Sequence, residues 1–120
     1  MSDYRVKFYK NSRNGREPVL DYLKTLDDKS GTKILKFIDF LREHDGYLDE
    51  PYSKHITGKI RELRVDFSRQ KHRVFYFTFI KKTIILLYAF LKKTNKTPKQ
   101  EVERATLNYK DVINNSKIYE

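Results

Sequence analysis

Ile84 through Leu91, reading IILLYAFL, is the stretch that most narrows what this chain can fold into. Eight consecutive apolar residues are too few to span a bilayer, and they lack the polar alternation of a half-exposed strand. They predict a central strand buried on both faces. The run stops at Lys92-Lys93-Thr94-Asn95-Lys96, and Thr97-Pro98-Lys99-Gln100 follows. Here Thr97 suits a helix cap, Pro98 the first helical position, and Gln100 the reciprocal place in a capping box. A rigid strand therefore carries two adjacent lysines to the edge of a sheet, and a helix start fixes the loop behind them.

The remaining elements follow from periodicity. Tyr4 to Tyr9 alternates and predicts a first strand with Tyr4, Val6 and Phe8 on one face. Glu17-Pro18 opens a short helix with the stripe Val19, Leu20, Tyr22, Leu23 and Leu26. Asp27-Asp28 precede a second helix, in which Ile34, Phe37, Ile38 and Leu41 recur at helical spacing before a stop at Gly46. Asp45 to Gly58 reads as a loop. Three strands come next in quick succession, Ile60 to Phe67, Lys71 to Phe79 and Thr83 to Leu91, and their short connections predict an antiparallel meander. A last helix from Pro98 to about Asp111 presents Val102, Ala105, Tyr109 and Val112. The expected architecture is α+β, in the order β-α-α-β-β-β-α, with a mostly antiparallel four-stranded sheet and helices packed on one face. One domain should occupy residues 1–113, with 114–120 a frayed tail.

Charge narrows the function. Residues 51–100 hold 13 Lys+Arg against only Glu62 and Asp66, whereas the rest of the chain balances 13 basic against 14 acidic residues. A positive field concentrated in this way favours polyanions through counterion release, nucleic acid above all. It is also compatible with a solvated basic face that only aids solubility. With no cysteine and no metal-ligand spacing among His44, His55 and His72, neither a disulfide nor a metal or other cofactor is expected. No apolar stretch reaches membrane-spanning length and the first residues lack a secretory core, so the expected location is the cytoplasm, away from any membrane.

Strand alternation sorts the candidate site. With Leu63 and Val65 towards the helices, Glu62 and Arg64 share the opposite face. With Val74 and Tyr76 inward, Arg73, Phe75 and Phe77 point out, while Tyr88 and Phe90 alternate with Leu87 and Ala89. A meander then lets Glu62, Arg64, Arg73 and Lys92 or Lys93 converge. Such a group suits RNA cleavage without metal, in which the ribose 2′-OH attacks the adjacent phosphorus. Arginines hold the phosphate oxygens, and a lysine among cations, or Glu62, moves the proton. Lys54, His55, Lys59, Arg61 and Lys96 widen the basic surface as candidate RNA contacts, and Phe75, Phe77 and Tyr88 are candidates for stacking on bases. Taken singly, Glu62 with Arg64 reads better as a cross-strand ion pair on a solvated face, and the aromatic residues read better as core.

Together, Arg61-Glu62-Leu63-Arg64, Arg73-Val74-Phe75-Tyr76-Phe77 and Leu86-Leu87-Tyr88-Ala89-Phe90-Leu91-Lys92-Lys93-Thr94-Asn95-Lys96-Thr97-Pro98 resemble the HigB branch of the RelE superfamily, including its phage-derived members. The resemblance implies a type II toxin that cuts mRNA on the translating ribosome, is silenced by a cognate helix-turn-helix antitoxin of the HigA type, and meets operator DNA through that complex. It places Arg73 at the family's phosphate-binding arginine, Arg64 at a basic position of the preceding strand, and Lys92 at a cation ending the last strand, with Lys93 beside it. Some relatives carry lysines where Ile60 and Glu62 stand, and a C-terminal tyrosine or histidine in the catalytic group. Here Tyr109 and Tyr119 are the C-terminal tyrosines, so the general base stays open between Glu62 and a lysine. A silent RNA- or DNA-binding module and a ribosome-independent ribonuclease are the alternatives.

Overall fold

A computed structural model describes residues 2–120. Its elements run β1 (Arg5–Phe8), α1 (Pro18–Lys24), α2 (Asp28–Glu43), β2 (Ser53–Thr57), β3 (Ile60–Phe67), β4 (Gln70–Phe79), β5 (Thr83–Lys92) and α3 (Lys99–Asn114), closed by a 3₁₀ turn at Ser116–Tyr119. The strands form one five-stranded sheet in the order β1-β5-β4-β3-β2. β1 lies parallel to β5, and every other neighbouring pair is antiparallel.

The apolar run that opened the argument is β5, flanked by β1 and β4, with Thr83 to Leu87 buried without interruption. A strand buried on both faces needs cover on both, and that overturns the expectation of helices on one face. On one side Val19 of α1 and Ile34, Ile38 and Leu41 of α2 pack on Leu63, Val65, Val74, Tyr76, Ile84 and Leu86. On the other, Ala105 and Val112 of α3 pack on Phe75, Phe77, Ile85, Leu87 and Phe90. Phe75 and Phe77 are therefore core residues under α3, with no open face beneath them.

The fifth strand is the second correction. β2 lies within the segment expected to be loop, pairing Ser53 with Leu63 and Lys54 with Glu62. Its sequence, SKHIT, contains one aliphatic residue and forms a sheet edge, so it carries almost no alternation to detect. Local signals fared better at helix ends. Asp27 caps α2 by accepting from Ser30 N at 2.8 Å, and Gly46, at φ +81°, follows its last turn. A Cβ on Gly46 would lie 2.7 Å from Thr78 Oγ1, so only glycine fits there. α3 starts one residue later than its capping pattern implied: Pro98 is the N-cap and Thr97 makes no cap bond.

The terminal residues were expected to fray. Instead Tyr119 is buried, its hydroxyl accepting from Lys10 N at 2.9 Å and donating to Lys10 O at 3.2 Å. Nearby, Asp111 of α3 accepts from Tyr9 Oη at 2.6 Å and from Ser12 Oγ at 2.6 Å. The two ends of the chain are thus fastened to each other beside β1.

Candidate functional site

The site is built on β3, β4 and the end of β5, on the side that α3 covers only in part. Register places Glu62 opposite Phe75, Arg64 opposite Arg73, and Lys71 opposite both Asp66 and Lys92. Residues directly opposite across antiparallel strands point to the same face, so these side chains are neighbours. Lys54 of β2, paired with Glu62, joins the same face from the edge.

Glu62 is the hub. It is wholly buried, and Oε1 accepts from Arg64 Nε at 3.2 Å with Arg73 Nε 3.8 Å away. Oε2 accepts from Thr97 Oγ1 at 3.1 Å, and this is where the hydroxyl expected to cap α3 is used. Two arginines set directly opposite each other repel, and a buried carboxylate between them offsets that repulsion. Arg73 is itself 4% exposed; its Nη1 donates to Asp66 Oδ1 at 2.7 Å and to His72 O at 2.9 Å. Asp66, by contrast, is largely exposed, so an anion sits on Arg73 that is free to leave it.

Lys92 completes the group at the end of β5. Partial burial, then the positive charges of Arg73, Arg64 and Lys71, hold its ammonium below the usual lysine range, against the opposing pull of Glu62. Behind the cluster, buried His72 faces α1, with Nδ1 2.6 Å from the Tyr22 hydroxyl. Burial, with Arg73 next in importance, lowers the pKa of His72, and burial pushes Tyr22 up to about 12.

Glu62, Arg64, Arg73, Lys92 and Lys54 are therefore brought together. Others are not. Lys93 is exposed one residue beyond β5 and, among the described residues, forms no ion pair or hydrogen bond from its side chain. Lys96 is exposed in the loop before α3, and Lys59 in the turn between β2 and β3. Arg61 and His55 pair with each other one step out of phase with Glu62, on the opposite face. There Arg61 is occupied with Ser53 Oγ at 3.1 Å and the ring of Tyr47, and His55 Nε2 lies 2.8 Å from Gly58 O. Lys71, Asp66 and Thr97 belong to the group but were not foreseen as site residues. The alternation that located Arg73 also places Lys71, two residues earlier, whereas Thr97 had a competing and ordinary reading as a cap. Among the described residues no His, Cys, Asp and Glu side chains gather in a way that could hold a metal ion.

The molecule is thus a basic α+β protein whose sheet gathers two arginines and a lysine around one buried carboxylate. Residues 21–110 match the family described as Phage derived protein Gp49-like, and the chain belongs to that family, one of RelE/ParE-like toxins. No curated protein matches the chain.

Proposed function

We propose that this protein is the toxin of a type II toxin–antitoxin pair, a HigB-like endonuclease that cuts mRNA on the translating ribosome without a metal ion. The observation that carries the reading is the clustering of Arg64, Arg73 and Lys92 around Glu62 in a member of a toxin family. The order of elements, with β1 parallel to β5 at one edge of an otherwise antiparallel sheet, fits a RelE-like topology.

Each group has a part in the chemistry. The ribose 2′-oxygen attacks the adjacent phosphorus, the bond from phosphorus to the 5′-oxygen breaks, and a 2′,3′-cyclic phosphate and a 5′-hydroxyl result. Lys92, with its lowered pKa and its accessible position, takes the 2′-hydroxyl proton in its neutral form, and solvent water protonates the 5′-oxygen as it leaves. Arg64, half-exposed, and Arg73, once Asp66 swings away, hold the non-bridging oxygens as charge develops on them. Glu62, buried and bonded through its two oxygens to Arg64 and Thr97, acts as a positioning residue that aims the Arg64 guanidinium by a hydrogen bond and holds that of Arg73 by charge alone. Lys54, Lys59, Lys71, Lys93 and Lys96 supply the surrounding field for messenger and ribosomal RNA. The partners of this reading are a cytoplasmic ribosome, a helix-turn-helix antitoxin, and operator DNA through the antitoxin complex.

Mapping mRNA 5′ ends in a cell-free translation system, with and without ribosomes, tests it. New ends on translated messages only, reduced by roughly 10²–10⁴ in rate in Lys92→Met and by about 10²–10³ in Arg64→Ala, are expected. Cuts in free RNA would assign a ribosome-independent ribonuclease instead. One observation favours a second reading: Glu62 and Asp66 neutralise Arg64 and Arg73. A catalytically silent RNA- or DNA-binding module would show the same, and RNA binding with no cleavage in either condition would establish it.

A further inference from the structure

One side chain on the sheet face is left unexplained by packing. β5 is buried from Thr83 to Leu87 and again at Ala89 and Phe90, yet Tyr88 between them is half-exposed. The cause is a β-bulge. Phe75 pairs with Tyr88 but Tyr76 pairs with Leu86, so Leu87 is an extra residue and the simple alternation expected for this strand fails. A bulge sets two consecutive side chains towards one face and re-aims one of them. Leu87 fills the core under α3, and Tyr88 is displaced to its margin.

The displaced ring is held in place. Arg104 of α3 donates from Nη1 to the Tyr88 hydroxyl at 2.9 Å, with its guanidinium 5.9 Å from the ring centroid. Tyr88 stacks on Phe90 with 23° between the planes, and Phe90 is the register partner of Arg73. Asn108 is fixed against the bulge by donating to Leu87 O at 2.9 Å. β1 pairs only as far as Leu86, so beyond it this edge of β5 has no strand alongside. A cleft of about 220 Å³ opens there, with Tyr88, Arg104, Leu107, Asn108 and Arg16 among its walls. Leu107 is 66% exposed, an apolar surface that no other residue covers.

We propose that this cleft is a nucleobase subsite, in which one unstacked base of single-stranded RNA lies against Tyr88 and Leu107 while Arg104 and Arg16 meet the flanking phosphates. The assignment rests on the RNA-cleaving reading and extends it to the substrate's neighbouring nucleotide. An aromatic platform beside arginines is how proteins take up single-stranded bases, with little dependence on which base is present. The volume lies below the roughly 300–1,000 Å³ of pockets for drug-sized ligands and suits one ring system. Tyr88 is two strands from Glu62, about 10 Å at the usual strand spacing. A base bound there belongs to a nucleotide next to the phosphate held by Arg64 and Arg73.

The experiment is binding of a fluorescently labelled single-stranded oligoribonucleotide, intact or with one abasic position, to wild type, Tyr88→Leu, Tyr88→Phe and Arg104→Gln. Thermal unfolding of each variant provides the folding control. Tyr88→Leu is expected to weaken the intact oligonucleotide by roughly 5- to 150-fold, the range of one base–aromatic stack. Tyr88→Phe keeps the ring and should stay near wild type. The exposed Arg104→Gln, which leaves the core untouched, should bind several-fold more weakly. One abasic position should cost wild type a similar factor and cost Tyr88→Leu nothing further. Folded Tyr88→Leu and Arg104→Gln proteins that bind like wild type overturn the subsite, even where wild type still cuts translated messages. Tyr88-dependent binding without cleavage in translation would leave the subsite standing and sink the nuclease reading. Nucleoside 5′-monophosphates form the second arm: if they bind as tightly as the oligonucleotide, with the same dependence on Tyr88, the ligand is a free nucleotide and the RNA assignment fails.

Discussion

Glu62 and Asp66 both face Arg73, yet removing them should have opposite consequences. Glu62 is fully buried, so Glu62→Ala leaves two guanidinium groups without their shared anion. Breaking a buried ion pair from one side typically costs about 3–5 kcal/mol, and urea unfolding of Glu62→Ala should show a loss of that order. Asp66 is mostly exposed, so water can take its place on Arg73, and in Asp66→Asn the amide oxygen still accepts from the guanidinium. Asp66→Asn should therefore fold almost as stably as wild type while binding RNA several-fold more tightly, because the carboxylate that competes with phosphate for Arg73 is gone. Equal or weaker RNA binding would show that Arg73 is not reached by phosphate. His72 adds a pH dependence. Its folded pKa is lowered by burial, so between the unfolded value near 6.5 and that lower value the unfolded chain binds the extra proton. Stability is then full above about pH 6.5 and falls as pH drops through this window, before the carboxylates held low in the fold (Asp3, Asp27 and Asp111) begin to protonate. A midpoint of unfolding that declines from pH 7.5 to 5.5 in wild type, and flattens in His72→Gln, is the expected result.

At the scale of elements, what could be read from the chain depended on how strongly each segment was patterned. β3 has its observed limits in the sequence reading because Leu63 and Val65 alternate with charged residues between clear turn signals. That alternation also brings Glu62, Arg64 and Arg73 to one face, and the same parity puts Arg61 on the other side. β2 was illegible since an edge strand buries little and needs no apolar repeat. Strand alternation alone leaves the face of Phe75 and Phe77 open, whereas α3 covers it, as β5, apolar on both sides, demands. The bulge at Leu87 had no local signature, because every residue around it is apolar. The terminal segment has too little pattern to betray its buried anchor, Tyr119. Since that tyrosine joins the 3₁₀ turn to both backbone groups of Lys10, Tyr119→Ala should empty a buried site and release the turn from β1. Truncating a buried aromatic residue typically costs about 3–5 kcal/mol, and guanidinium unfolding should reveal a loss towards that range. Stability within 0.5 kcal/mol of wild type, by the same measure as an ordinary surface substitution, would mean that the turn is not docked.

For the whole molecule the decisive quantity is where its charge lies. The formal net charge is +10, and residues 53–92, the third of the chain that folds into β2 to β5, hold ten Lys+Arg against two acids, which is +8 of it. Folding places Lys54, Arg64, Lys71 and Lys92 around one buried anion, so the excess becomes a compact cationic rim about the site. Keeping Lys92 in such a rim opposes stability: partial burial first, and the neighbouring cations after it, lower its pKa, so the folded state disfavours its charge at neutral pH. Relief comes only as pH rises from that lowered value towards 10.5, where the unfolded chain still holds the proton and the folded one has released it. A group retained at a cost to stability is what a binding or reacting site requires. If the four rim cations each displace a counterion from single-stranded RNA, log Kd against log salt should have a slope of magnitude about 3, from roughly 0.7 per phosphate contact. Lys92→Met should lower that slope by about 0.7 while leaving the fold as stable or more stable, whereas Lys81→Met, in the β4–β5 turn at the opposite end of those strands, should leave it unchanged. An equal effect from both lysines would mean that RNA responds to the total charge of the protein and not to the rim around Glu62.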